Sequence, residues 1–269
     1  DCGDGAQRIH RFPRTVRRSP KPLRRLSARN EKRRSIAAVQ SLRRDPARHG
    51  YHQITARGAR HDEYLAALKK AAASDADVLV VILLGRDLVQ TMQLAHNLRL
   101  DRRMQIIVPN LTTSIVDQAG PQVMENVIGT EAWTWRVPAL VKSELGQAFV
   151  DAYVQAHQGY PGSTAASAYG IVHQWAAAVQ RAGSLDSEKV IAALEGHRYS
   201  LLKDEQYWRD FDHQNVQSIY AVRVRSRSEI IQDPFKQDYF TIIHRMDGEV
   251  AAPSLDDWQQ ERGDELTLR

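Results

Sequence analysis

The run Asp77-Val78-Leu79-Val80-Val81-Ile82-Leu83-Leu84, ended by Gly85, decides the fold. An unbroken apolar and β-branched run of this length predicts a strand covered on both faces, as in a parallel sheet. Residues 86–98 then repeat apolar side chains at helical spacing, and residues 104–108 read as a second strand that stops at Pro109. The stretch therefore predicts a strand–helix–strand unit, and with it an α/β fold with a parallel sheet.

The ends of these two strands indicate where a ligand would bind. In open α/β sheets, ligands bind just past the carboxyl ends of the strands. Leu84, Gly85 and Arg86 follow the first strand and Asn110 follows the second, so we expect them to contribute to a ligand-binding site. The alternatives are structural: an apolar wall at Leu84, a helix start at Arg86 and an ordinary turn at Asn110.

Trp133 is the fifth candidate ligand-binding residue. An aromatic side chain covers the apolar part of a ligand with little loss of rotamer freedom. Hinge packing is the competing interpretation, because residues 133–138 read as a segment that crosses between two lobes.

Periodicity predicts further elements on both sides of this unit. Thr113 or Ser114 is a candidate cap for the third helix, Gly183 closes the fifth, and Asp186 caps the sixth. We expect helices at 63–72, 86–98, 111–119, 145–156, 165–179, 187–194 and near Leu255 and Trp258, with further strands at 125–130, 216–224 and 238–244.

The first sixty residues differ from the rest of the chain in charge and in pattern. They hold 15 Arg and 2 Lys against 4 Asp or Glu, a balance of +13, so the remainder carries −8 of the net +5. Too little apolar area is present to offset the entropy of ordering, so the segment is predicted to be disordered. Alternatively it is aberrant, because a shifted reading frame would produce arginine-rich sequence without periodicity that changes abruptly into patterned sequence. An arginine-rich arm that neutralises phosphates on nucleic acid is the alternative function. Apart from Phe12, no Phe, Trp or Tyr interleaves with the arginines before Tyr51, which makes nucleic acid an unlikely partner.

Several functional classes are not supported by any motif. The sequence contains no P-loop, no dinucleotide-binding glycine fingerprint and no zinc signature, so neither a cofactor nor a metal is predicted. Asp212-His213 reads as a turn rather than an acid–base pair, and no enzyme activity is expected. No apolar run approaches the roughly 20 residues of a membrane span, so no membrane insertion is expected. The start Asp1-Cys2-Gly3-Asp4 lacks the basic and apolar parts of a signal peptide.

Three stretches in order carry a family resemblance. The first pairs Tyr64-Leu65-Ala66-Ala67-Leu68 with Asp75-Ala76-Asp77-Val78-Leu79-Val80-Val81. The second is Gly146-Gln147-Ala148-Phe149-Val150-Asp151-Ala152-Tyr153, with Gly159-Tyr160-Pro161. The third joins Ala177-Ala178-Val179-Gln180-Arg181-Ala182-Gly183 to Asp212-His213-Gln214-Asn215-Val216. Residues 61–248 thereby resemble type I periplasmic binding proteins, closest to the leucine/isoleucine/valine-binding components of amino-acid ABC importers.

The resemblance implies a fold, a function and a set of boundaries. It implies parallel-sheet lobes with flanking helices that close on an amino acid or small amide, and a first lobe that is incomplete in this chain. It implies a periplasmic location and an ABC permease as partner. It places a second-lobe unit at 61–132, a crossover and return into the first lobe at 133–250 and a tail at 251–269, after the unmatched segment 1–60. At Asn110 relatives place a side chain that reads the ligand's amino group, and at Leu84 they often place an aromatic.

Overall fold

A five-stranded mixed sheet organises the protein, whose computed structural model describes residues 60–262. The predicted segment 1–60 lies outside these residues except for Arg60. The helices are α1 His61–Ala72, α2 Gly85–Asn97, α3 Thr113–Ala119, α4 Pro121–Met124, α5 Val137–Val141, α6 Glu144–His157, α7 Ser163–Ala182, α8 Ser187–Leu194, α9 Arg227–Ile230, α10 Gly248–Ala251 and α11 Leu255–Arg262. The strands are β1 Val78–Val80, β2 Gln105–Val108, β3 Ile128–Glu131, β4 Arg198–Tyr199, β5 Gln206–Trp208, β6 Asn215–Val216, β7 Ile219–Val224 and β8 Phe240–Met246.

The larger sheet has the order β1-β2-β3-β7-β8. Strands β1, β2 and β3 are parallel, with Val78 opposite Gln105 and Ile107 opposite Ile128. Strand β7 is antiparallel to both β3 and β8. The predicted strand–helix–strand unit is therefore confirmed, with parallel pairing between its two strands.

The prediction that the first strand is covered on both faces is wrong. Strand β1 ends at Val80, and it lies at an edge of the sheet in the described part of the chain. Val78 is 42 % exposed and Ile82 57 % exposed. The apolar run is continuous in sequence, but within residues 60–262 only β2 pairs with it.

Local capping explains where several helices begin and end. The Ser143 hydroxyl accepts a hydrogen bond from the Gly146 N–H at 3.0 Å and caps α6. Asp186 caps α8 by accepting from the Lys189 N–H at 3.2 Å, and Gly183 ends α7 at φ +58°, both as predicted. The cap of α3 is Thr112 rather than Thr113 or Ser114. Thr112 has the extended backbone that a cap requires, whereas the two predicted residues already belong to the helix.

The predicted strand 216–224 is two strands in different sheets. Strand β6 pairs with β5 in a three-stranded antiparallel sheet of order β4-β5-β6. Strand β7 begins three residues after Val216 and joins the larger sheet. The polar pair Gln217-Ser218 separates the two strands, and alternation alone carries no information about which sheet each half enters.

The larger sheet contains strands from both sides of the predicted domain boundary at residue 132. Strands β7 and β8 lie within the predicted crossover segment 133–250, yet β7 pairs directly with β3 of the unit at 61–132. Residues 219–246 therefore share a sheet with the second-lobe unit. The assignment of the intervening residues to a first lobe stays a prediction.

The core packs helices against this sheet. Its fully buried side chains come from α1 and α2, from the strands and from the segment that follows β2. They include Tyr64, Leu88, Met92, Val108, Leu111, Val116, Tyr220 and Val222. This packing holds the carboxyl ends of the parallel strands in place.

Candidate ligand-binding site

Three parallel strands end at one edge of the sheet. The Val81 N–H donates to the Ile107 carbonyl at 2.9 Å, which continues the pairing one residue beyond β1. The chain then reaches Leu84-Gly85 after β1, Asn110 after β2 and Ala132-Trp133 after β3. All five residues predicted to contact a ligand therefore follow strands that end at the same edge.

Leu84 and its neighbours form an exposed start to α2. Leu84 occupies the N-cap position with an extended backbone and no side-chain cap hydrogen bond, and it is 70 % exposed. Gly85 has φ +56°, and an added Cβ there would meet nothing within 4 Å. Arg86 is exposed as well. This segment presents an apolar side chain, an open stretch of backbone and a cation to solvent.

Asn110 is held by its backbone and leaves its side chain free. Its φ is +57°, a left-handed conformation that asparagine adopts more readily than most residues. Its N–H donates to the Thr130 hydroxyl at 3.2 Å, and the Leu111 N–H donates to the Thr130 carbonyl at 3.0 Å. Within residues 60–262 the Asn110 side-chain amide has no hydrogen-bond partner, so it remains available to a ligand.

Trp133 is a packing residue in this structure. It is 3 % exposed, and its indole N–H donates to the Leu202 carbonyl at 3.2 Å. Its ring meets Phe149 edge to face, with 5.8 Å between the ring centroids. Trp133 thus fixes the segment after β3 to α6, and it also forms part of the wall of a cavity between α7 and the three-stranded sheet.

Two buried charged residues near Trp133 were not predicted from the sequence. Glu131 is 3 % exposed, and burial raises the pKa of its carboxyl to about 8 despite hydrogen bonds from Ser163 and the Ala132 backbone. Lys203 is also 3 % exposed, and burial lowers the pKa of its ammonium to about 8, against the opposing effect of the Asp204 charge. The Glu131 carboxyl is hydrogen-bonded to the Ala132 backbone. The Lys203 ammonium donates a hydrogen bond to the Ala132 carbonyl.

No sequence signal marks either charge as buried. The Lys203 ammonium donates to the carbonyl of Ala132 at 2.7 Å, to that of Ser218 at 2.6 Å and to the Gln217 side chain at 3.2 Å. These acceptors are up to 71 positions away along the chain. Only the tertiary structure brings them together.

Asp212 and His213 face different partners. Asp212 pairs with the Arg209 guanidinium, and His213 pairs with Glu195 at 2.8 Å. The backbone of His213 has φ +58°, which is consistent with the turn predicted at Asp212 and His213.

Metal and membrane features can be assessed over residues 60–262. No group of three or more His, Cys, Asp or Glu side chains there is arranged to hold a metal ion. In the same range, no helix combines the length and apolar character that crossing a bilayer requires.

A mixed sheet flanked by helices, with three parallel strands that end at one edge, defines an α/β fold. Residues 50–229 match the family model described as "Periplasmic binding protein", and the chain belongs to this family. The family consists of binding proteins rather than enzymes. The fold is that of its type I members.

Solved structures share this fold. A periplasmic binding protein from Burkholderia mallei is 24 % identical, with a TM-score of 0.62 over 72 % of this chain and 49 % of that one. A branched chain amino acid ABC transporter periplasmic ligand-binding protein from Burkholderia xenovorans LB400 is 21 % identical, with a TM-score of 0.61 over 72 % and 50 %. A leucine-, isoleucine-, valine-, threonine- and alanine-binding protein from Brucella ovis is 17 % identical, with a TM-score of 0.59 over 77 % and 50 %.

The present chain spans about half the length of these solved relatives. A search of curated proteins found no match. Nothing in the comparisons supports the nucleic-acid alternative, and the arginine-rich segment on which it depends lies outside the described residues.

Proposed function

We propose that this chain binds an amino acid or a small amide as the substrate-binding component of an ABC importer. In this role it acts in the periplasm and delivers its ligand to a membrane permease, and it catalyses no reaction. The observation that carries the proposal is the family match over residues 50–229, combined with the exposed strand ends of the sheet.

The residues at these strand ends suit the parts of such a ligand. Leu84 offers an apolar surface to an aliphatic side chain, and the open backbone at Gly85 allows close approach. The free Asn110 amide can accept a hydrogen bond from an ammonium group or donate one to a carboxylate. Arg86 supplies a cation that a carboxylate can approach. Trp133 is buried against Leu202 and Phe149, so we assign it a packing role rather than a contact with this ligand.

The choice of ligand class draws support from the relatives. The Burkholderia xenovorans protein is named for branched-chain amino acid transport, and the Brucella ovis protein for five aliphatic or small amino acids. The aliphatic amino acids in both names suit an apolar wall at Leu84.

Calorimetric titration of the full chain with leucine, isoleucine, valine and small amides tests the proposal. A ligand that binds only the folded state stabilises it by RT ln(1 + [L]/Kd), about 2.7 kcal/mol at a hundredfold excess over Kd. We expect heat of binding and a matching rise in Tm with at least one of these ligands. Absence of both with every ligand would refute the proposal.

A matched pair of variants tests the location of the site. Leu84→Asp should weaken binding at least tenfold, because the apolar contact is lost. Leu185→Asp is the control, since Leu185 is 74 % exposed against 70 % for Leu84 and is not one of the strand-end residues. Equal effects of the two substitutions would mean that the ligand does not contact the strand ends.

A further inference from the structure

A cavity of about 140 Å³ lies between α7 and the three-stranded sheet. Gly170 and Ile171 of α7 form one side, Trp208 of β5 lies in the opposite wall, and Trp133 and Lys203 also line it. The strand-end residues 84–86 and 110 do not contribute to this wall. An inference about the cavity therefore does not depend on the proposed strand-end site.

The volume limits what the cavity can hold. An apolar protein cavity of about 150 Å³ accommodates one benzene molecule. A solute with one six-membered ring or a short branched chain, together with a small polar group, would therefore fill this volume. The ring of Trp133 and the aliphatic carbons of Ile171 provide an apolar part of the wall.

The charge in the wall favours an anion. All three hydrogen bonds of the Lys203 ammonium go to neutral oxygen atoms, at Ala132, Gln217 and Ser218. The neighbouring Asp204 carboxylate is instead engaged by the Ser218 hydroxyl and by Arg245. Among residues 60–262, no carboxylate lies within salt-bridge distance of the Lys203 ammonium. The buried Lys203 ammonium is attracted by the nearby Asp204 charge and lies over the Tyr220 ring, 5.1 Å from its centroid, but it has no direct ion pair, so an anion in the cavity would stabilise it further.

A second group in the wall needs a hydrogen-bond acceptor. The Trp208 indole nitrogen is buried, and within the described part of the chain it has no hydrogen-bond partner. An indole N–H can only donate. Leaving a buried donor unpaired costs about 1–3 kcal/mol, so a ligand that brings an acceptor oxygen to Trp208 is favoured.

We propose that this cavity is a binding site for a small organic monocarboxylate. One carboxylate oxygen accepts the hydrogen bond of the Trp208 indole N–H, and the carboxylate lies near the Lys203 ammonium. The apolar part of the ligand packs on Trp133 and Ile171. Because Trp208 offers only a donor and Lys203 a cation, a carboxylate without an ammonium group fits better than a free amino acid. This preference distinguishes the cavity from the strand ends.

Titration of the full chain with sodium benzoate, followed by ligand-observed NMR, tests the charge requirement. Benzyl alcohol is the neutral control of similar size. We expect a dissociation constant at least tenfold lower for benzoate than for benzyl alcohol. Lys203→Met should remove most of this preference, while Lys189→Met, at an exposed position on α8, should leave it unchanged. No benzoate binding, or equal affinity for the two compounds, would overturn the proposal.

Two variants of Gly170 test the location and avoid the buried lysine. An added Cβ at Gly170 meets nothing within 4 Å, and glycine is a poor helix former, so both Gly170→Ala and Gly170→Leu should fold. Because Gly170 lines the cavity, we expect the leucine side chain to reduce the space available to a ligand. We expect benzoate to bind Gly170→Ala as it binds the natural chain and to bind Gly170→Leu at least tenfold more weakly. Equal binding by the two variants would place benzoate elsewhere.

Discussion

Trp133 is buried and Trp175 is exposed. Alanine substitution at each residue therefore measures how much a buried tryptophan ring contributes to the free energy of unfolding. Trp133 is 3 % exposed and Trp175 is 52 % exposed. Trp133→Ala should lower the free energy of unfolding by about 3–5 kcal/mol, because it removes a buried ring and leaves a cavity. Trp175→Ala should lower it by less than about 1 kcal/mol. Urea denaturation measures both values, and a Trp133 effect no larger than that of Trp175 would contradict the burial of the Trp133 ring.

Glu131 should make stability depend on pH. Its folded-state pKa of about 8 lies above the ordinary value of 4.5. Between these values the folded state binds more protons than the unfolded state, so the free energy of unfolding falls as pH rises. In Glu131→Gln this contribution is absent. The difference in unfolding free energy between variant and natural chain should therefore grow from pH 4.5 to about 8 and then level off.

Lys203 should have the opposite dependence at higher pH. Its folded-state pKa of about 8 lies below the ordinary 10.5. From about pH 8 to 10.5 the unfolded state binds more protons, so stability rises with pH through this contribution. Lys203→Met should abolish that rise in a chemical-denaturation series. Parallel pH curves for natural chain and variant, in either of these two experiments, would show that the charge is not buried.

The sequence indicated which residues lie near strand ends, but it did not indicate which charged residues are buried. Leu84 and Asn110 could be placed near strand ends because Leu84 closes one apolar run and Asn110 comes after Pro109, which ends the other. Glu131 and Lys203 could not be identified as buried, since their environment depends on contacts between Ala132 and Lys203 that are 71 positions apart.

At the scale of the elements, the close approach of the segment after β2 to β3 depends on one small residue. A Cβ at Gly129 would lie 2.4 Å from the Leu111 Cβ and 2.5 Å from the Val108 carbonyl oxygen. Gly129→Ala should therefore lower the free energy of unfolding by about 1–3 kcal/mol. Gly170→Ala on α7 is the control and should raise it by about 0.5–1 kcal/mol. A stabilising Gly129→Ala would contradict the observed pairing of β2 and β3.

Helices and strands were predictable from the sequence where a single pattern of apolar residues spans a single helix or strand. The unit from β1 to β2 has an apolar strand, an amphipathic helix and a second strand, and each was found within a few residues. Residues 216–224 were predicted to be one strand because the alternation of apolar and polar residues continues through Gln217-Ser218. The chain passes from one sheet to the other at these two residues. The exposure of β1 was also missed, because the sequence does not reveal that β1 has a single paired neighbour among the described strands.

At the scale of the whole molecule, the family resemblance identified the fold and its class from the sequence. Three ordered stretches between residues 64 and 216 carried it, and the family match over residues 50–229 agrees. The return of β7 and β8 to the sheet of β1–β3 was not predicted. Antiparallel pairing of Ile128 with Arg223 joins positions 95 apart, and nothing local in either strand specifies that partner.

The most direct test of the proposed solute-binding function is a ¹⁵N-resolved NMR titration of the full chain with leucine. We expect saturable shifts of backbone amides at the strand ends, at residues 84–86 and 110–111, with smaller changes near Trp133. Amides of α11, which is remote in sequence from these positions, should not move. Saturable shifts confined to other parts of the sheet, or no shifts with any branched-chain amino acid or small amide, would contradict solute binding at the strand ends.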